Sequence, residues 1–322
     1  MEVLSLPNYF NVWDEFTYIS SAETSQTFLL SKYEGKLIEN PKTKSFDNCY
    51  PFIYYLEQGK SFFNQVSQSP INIKPILLFY GFVFLIKACI LTVEPEYPTS
   101  TSVLAHGVST RKKKKANFQY LMDEVKIQKN GLFPHFSSLL FNMQNLEGEK
   151  ITIKRLFMEV PEMAPFLNKW EKQKVRISLL KEEEKWRIPD DILDCYKMTK
   201  ERFSKYILDK TKRKTIVDID QNRLYVIFPE KPRSKEFIPF RYNLQDQSYS
   251  ISIIKDDVSF FYEMMIHYLI LYHLSMIARY EVEWWAELIN QRHGIEYPLI
   301  IHYLNIVEKK APFLISQYLF TE

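Results

Sequence analysis

The chain predicts a mainly α-helical fold carrying a small antiparallel β insertion (an α+β class), with helices around one large aromatic-rich core. Three observations carry that expectation. Hydrophobic residues make up 46% of the sequence and aromatics 16%, with 24 Phe, 21 Tyr and 5 Trp. Each large ring can bury roughly 150–250 Å². Apolar positions recur at helical spacing between short polar breaks, and only 7 glycines occur, so left-handed turns are few and a Gly-rich phosphate cradle is absent.

Taken in order, Phe10 to Ser20, Ser25 to Glu34 and Tyr50 to Gln58 read as short helices. Lys74 to Thr92 reads as a long helix, apolar all round and therefore buried on every side. It contains the best membrane candidate, PILLFYGFVFLIKACILTV from Pro75 to Val93. Lys87 divides that stretch, leaving a run short of the roughly 20 residues a span needs, and a lysine near a bilayer centre costs about 2.5–3.5 kcal/mol. The expectation is a buried helix of a soluble protein, with Lys87 near its end or paired, and no transmembrane segment. The Pro-, Ser- and Thr-rich stretch Glu94 to Thr110 reads as a loop.

Val125 and Ile127 alternate with polar residues before Asn130-Gly131, which predicts a β-hairpin with a type I′ turn. A short helix follows from Pro134 to Met143, and residues 153–172 and 189–210 read as helices. Pro189 suits a first turn, where Asp190 and Asp191 complement the helix dipole. Strands are expected at Val175 to Leu180, at Thr215 to Ile219 and Arg223 to Phe228 across the short turn Asp220-Gln221-Asn222, and at Tyr249 to Ile253. From Val258 the chain returns to helix, broken at Pro298 and Pro312. This organisation is one unit over 1–322: helical to 210, β-containing over 211–256, and helical again over 257–322.

The balance of 42 basic against 39 acidic residues leaves a net charge of +3, so any electrostatic recognition is local. Cys49, Cys89 and Cys195 are odd in number and widely spaced. They fit buried free thiols in a reducing, cytoplasmic compartment better than a disulfide framework. The start MEVLSLPNYFNVWDEF lacks the basic, apolar and small-residue parts of a signal peptide. Nucleophile elbows, Walker loops, zinc-ligand motifs and EF-hands are absent, so no cofactor or metal is expected. His267 and His273 lie six residues apart, roughly 240° round a helix, and read as core histidines.

The segment that can carry chemistry is HGVSTRKKKK, His106 to Lys115. Its small residues can leave amides open, while Arg111, Lys112, Lys113, Lys114 and Lys115 concentrate positive charge, which suits a phosphorylated ligand or nucleic acid. His106 is the proton-transfer candidate, since an unperturbed imidazole titrates near 6.5. A second segment, SMIARYEVEWW, carries Arg279, with Glu281 or Glu283 as its expected ion-pair partner. If His106, Arg111 and Arg279 share a pocket, an enzyme acting on nucleic acid or another phosphate ligand becomes the alternative, with Glu281 a further candidate. A purely structural or interaction role is the third reading.

PILLFYGFVFLIKACILTV, HGVSTRKKKK, EVKIQKNGLFPHF and SMIARYEVEWW together resemble the YaaC-like protein family of Bacillus and its relatives. The resemblance implies a cytoplasmic bacterial protein and assigns no reaction or catalytic residue. The packing of long apolar helices is also similar to that of HEPN ribonucleases. Their diagnostic arginine, followed after four to six residues by histidine, has no counterpart in this chain.

Overall fold

Ser21 begins the first long helix with a reciprocal cap: its Oγ accepts from the Thr24 amide at 3.2 Å, and Thr24 Oγ1 accepts from the Ser21 amide at 3.2 Å. Our computed structural model describes residues 12–111, 118–211, 215–228 and 237–320. The short α1 (Val12–Thr17), α2 (Ala22–Gly35), the long α3 (Pro41–Val66) and α4 (Lys74–Leu91) open the chain. They pack with α10 (Glu263–Tyr280), α11 (Val282–Gln291) and α12 (Glu296–Leu319) from its end.

Helix α4 lies against α3, α10 and α12, which explains why its sequence is apolar all round. It is long and apolar enough to cross a membrane, yet 67% of that stretch is buried inside the protein. Gly59 and Gly81 set the spacing between α3 and α4. A Cβ on Gly59 would meet the Leu85 side chain at 2.6 Å, and one on Gly81 would meet Phe63 at 2.9 Å. That close approach brings aromatic residues of the two helices side by side.

Three small antiparallel sheets accompany the helices. The first has β2 (Glu124–Ile127) between β1 (Val108–Thr110) and β3 (Lys150–Thr152). In the second, β10 (Tyr249–Ser252) lies between β4 (Arg176–Ser178) and β9 (Phe240–Tyr242). The third runs in the order β5 (Leu180–Glu182), β6 (Lys185–Ile188), β8 (Arg223–Ile227), β7 (Ile216–Asp220). The remaining helices are α5 (Leu132–Phe141), α6 (Ile153–Phe157), α7 (Ala164–Glu171), α8 (Asp191–Tyr196) and α9 (Lys200–Lys210). With 58% helix and small sheets, the class is the predicted mainly helical α+β.

Several local expectations are corrected. The description of 1–210 as helical gives way: the strands expected around Val125–Ile127 and within Val175–Leu180 form as β2 and β4, and β1, β3, β5 and β6 join them outside 211–256. Asn130-Gly131 does not turn a hairpin. Gly131, with φ of 126°, caps the start of α5, and β2 pairs instead with β1 and β3. The hairpin does form at β7–β8, where Gln221 and Asn222 take φ of 45° and 61°. Pro312 sits inside α12 without ending it, because α12 is held by core packing on either side of it. Cys195 is exposed, whereas Cys49 and Cys89 are buried and all three are free thiols.

The aromatic-rich interior consists of two buried clusters, one among the helices and one among the second and third sheets with α8 and α9; Phe313 of α12 touches both. Between them lies a buried ionic hub. The Glu159 carboxylate meets Arg155 Nη1 at 2.8 Å, Arg176 Nη1 at 3.1 Å and Arg241 Nε at 2.7 Å, and its side chain is wholly shielded from solvent. Burial alone would raise this carboxyl, but Arg241, Arg176 and Arg155 override it and hold it at about 2. Lys310 of α12 likewise bridges Glu162 at 2.6 Å and Glu263 at 3.1 Å.

Candidate anion-binding site

The His106 loop is built by its backbone. Leu132 N donates to Ala105 O at 2.7 Å, Phe133 N to His106 O at 3.1 Å, and Gln128 N to Gly107 O at 2.9 Å. Tyr268 Oη adds a second donor to His106 O at 2.8 Å. Gly107, at φ of 76°, and Gly131 make the docking possible: a Cβ on Gly131 would lie 2.3 Å from Gly107 N. The loop is therefore fixed through main-chain bonds, which leaves the His106 side chain directed at α4 and α10.

There the imidazole centroid lies 5.0 Å from Phe79, 5.7 Å from Tyr272 and 6.0 Å from Tyr80. Its nitrogens have no protein hydrogen-bond partner among the described residues. Arg279, in the last turn of α10, donates Nε to Ser275 O at 3.1 Å and Nη1 to Tyr80 Oη at 2.9 Å. Its guanidinium carbon also stands 5.5 Å from the Tyr80 ring. His106 and Arg279 thus flank one tyrosine.

Lys87 lies two turns beyond Tyr80 on α4. Its Nζ is 5.5 Å from the Phe84 ring and 5.7 Å from Tyr55, both within cation–π range. Like Tyr80, Arg279 and His106, it is half-buried. Neither Lys87 nor Arg279 forms an ion pair with a described residue. The pairing of Arg279 with Glu281 or Glu283 expected from sequence does not occur. Helix α10 ends at Tyr280, and Glu281, at φ −114° and ψ 50°, breaks the register into α11. Both carboxylates are thereby taken off the face that carries Arg279.

The local field is positive. Burial lowers the His106 imidazole below its ordinary value, and Arg279 and then Lys87 lower it further. Burial also lowers Lys87. Beside them, Tyr97 is more than nine-tenths buried and its hydroxyl has no hydrogen-bond partner among the described residues. Burial raises that hydroxyl first, and the neighbouring Tyr55 and Glu94 add to the effect. Burial likewise raises the hydroxyl of Tyr268, the residue that clamps the His106 carbonyl, and the neighbouring Tyr272, Tyr97 and Tyr80 add to the effect.

A row of half-buried rings crosses the α3–α4 seam. Tyr55 to Phe84 is 6.3 Å at 33°, Phe84 to Phe62 is 5.7 Å at 25°, and Phe62 to Tyr80 is 6.4 Å at 34°. Lys87 stands at the Tyr55–Phe84 end and Arg279 at the Tyr80 end. Chemically, this surface offers an anion a cation at either end of the ring row, a protonatable imidazole beside Arg279, and an apolar aromatic face between.

Of the residues singled out from sequence, His106 and Arg279 are brought together. Arg111 is exposed at the opposite end of β1 from the His106 loop, since an extended strand carries it about 3.3 Å further per residue. Lys112, Lys113, Lys114 and Lys115 lie outside the described residues. Glu281 makes no hydrogen bond or ion pair with His106 or Arg279. The three-residue pocket of His106, Arg111 and Arg279 is thus not assembled; Lys87, at the far end of the ring row, is instead the further cation whose charge acts on His106.

Sequence reasoning did not single out Lys87 as a site residue, nor Tyr97. The available signal was the lone cation in an otherwise apolar helix. His267 and His273 are buried core residues, with His267 Nδ1 3.1 Å from Tyr303 Oη and His273 Nε2 2.8 Å from Asp123 Oδ2. Among the described residues no His, Cys, Asp and Glu group has a metal-holding arrangement.

No curated protein and no solved structure matches this chain. The YaaC-like protein family does match it, over residues 17–319, and since that is nearly the whole sequence the chain belongs to this family.

Proposed function

We propose that this YaaC-like protein binds a phosphate-bearing anion where α4, the His106 loop and the end of α10 meet. One observation carries the reading: Lys87 and Arg279 are half-buried over aromatic rings, and no described carboxylate neutralises either. Partial burial of unpaired charge is costly, and an anionic guest offsets that cost. The guanidinium fork suits phosphate oxygens, and the ammonium serves as a point charge beside it.

Titration calorimetry of the full chain with inorganic phosphate and with sulfate tests this. Specific binding is expected, weakened about 10-fold or more in Lys87→Met and in Arg279→Met, with the helical circular dichroism retained. Absence of binding to the native chain refutes the reading, as does unchanged affinity in both variants.

Contact with nucleic acid is the second reading, favoured by the exposure of Arg111. It separates cleanly from the first. Engagement of Arg111 and Lys112 to Lys115 by duplex phosphates gives a log–log salt slope of about −4.5, whereas one or two cations at this site give a much shallower one.

A further inference from the structure

We infer that the ligand of this site is a nucleotide: its flat base lies against the row Tyr55–Phe84–Phe62–Tyr80, and its phosphate is held by His106 and Arg279 at the Tyr80 end, with Lys87 adding positive charge from the other end. This rests on the anion-binding reading above and names the substrate class for it.

The first argument is the state of the rings. The chain buries Phe52, Phe79 and Phe82 completely, yet leaves Tyr55, Phe62, Tyr80 and Phe84 half-exposed in one contiguous strip. Neighbouring planes in the strip differ by only 25–34°. A flat π-system can cover such a strip, whereas an inorganic anion would leave it wet. Stacking on aromatic side chains tolerates any base, because every base has a π-face.

The second argument is the placement of charge. Cations stand at both ends of the strip and His106 beside the Tyr80 end. A guest with an apolar plane and an anionic tail meets both at once. The third argument is independent of the other two. The buried Tyr97 hydroxyl, near Tyr55 and Tyr268, lacks an acceptor among the described residues. Buried polar groups are nearly always hydrogen-bonded, and the ring nitrogens, ribose and phosphate of a nucleotide all offer acceptors.

The test compares three probes on the full chain by calorimetry: adenosine 5′-monophosphate, ribose 5-phosphate and adenosine. The nucleotide is expected to bind at least about 5-fold more tightly than ribose 5-phosphate, the ratio set by one stacked base, and more tightly than adenosine. Phe62→Leu, which touches neither cation, is expected to reduce nucleotide affinity by a larger factor than ribose 5-phosphate affinity. Phe62→Met serves as the second variant should Phe62→Leu misfold.

Equal affinity for the nucleotide and ribose 5-phosphate overturns the nucleotide assignment while leaving the anion site standing. Equal affinity for the nucleotide and adenosine overturns the role given to the phosphate. Binding of neither phosphate compound overturns both this inference and the reading beneath it.

Discussion

Proton uptake at His106 gives the most discriminating test of the site. The imidazole is lowered by its burial and by the positive charges of Arg279 and Lys87, so the empty site resists protonation. An anion between the same groups reverses the sign of the local field and favours imidazolium. Two unit charges about 4 Å apart interact by about 1 kcal/mol in water and about 4 kcal/mol at an effective dielectric of 20. The half-buried position falls toward the lower part of that range, so protonation should tighten anion binding roughly 10-fold. Sulfate is the proper probe because, unlike phosphate, it does not titrate between pH 5 and 8. Calorimetry in two buffers of different ionisation enthalpy should show net proton uptake on sulfate binding, with affinity rising as pH falls. His106→Gln should bind with no such dependence. Affinity flat from pH 5 to 8 in the native chain, or an identical pH profile in His106→Gln, would refute the coupling.

Four further outcomes follow from particular contacts. Glu159→Gln leaves Arg155, Arg176 and Arg241 facing one another without their buried carboxylate, and denaturant titration should show a loss of about 3–5 kcal/mol. Because folding depresses the Glu159 carboxyl to about 2, the stability it contributes is fully present above the ordinary carboxylate range and is lost as pH falls toward 2; thermal melts across that interval should show the decline, and Glu159→Gln should flatten it. Gly131→Ala forces a Cβ against Gly107 at a φ of 126°; it should lower the melting temperature by an amount equivalent to about 1–3 kcal/mol and weaken sulfate binding by displacing the His106 loop. Lys87→Met should leave stability unchanged or raise it by up to about 0.5 kcal/mol, after discounting for solvent around the half-exposed ammonium, so that its loss of anion affinity reports binding and not folding.

The helical frame was legible because its signals are local. Apolar residues at helical spacing foretold α2 and α4, and the run Asp220-Gln221-Asn222 foretold the β7–β8 hairpin, whose positive φ angles those residues tolerate. Asn130-Gly131 carried the same local signal and misled, because what uses the freedom of Gly131 is a contact with Gly107, distant in sequence. His106 and Arg279 were legible as chemistry-bearing residues, but their shared neighbour Tyr80 was not. That tyrosine looks like any other aromatic in an apolar helix until α4 and α10 are packed together. Lys87 was read as a flaw in a hydrophobic stretch, since nothing local says that two rings, one of them on another helix, lie beneath its ammonium. The Glu159 hub was invisible for the same reason: its three arginines come from α6, β4 and β9.

That hub also governs how the protein would respond to being cut. The chain passes from the helical part into the sheets near Lys172, an exposed residue with φ of 55° and a natural place for a protease to enter. A nick there would leave Arg155 and Glu159 on one fragment and Arg176 and Arg241 on the other, gripping each other through a carboxylate that water cannot reach. Held also by the packing of α10 and α12 against α4, the two pieces should travel together through a sizing column at neutral pH and separate only in denaturant.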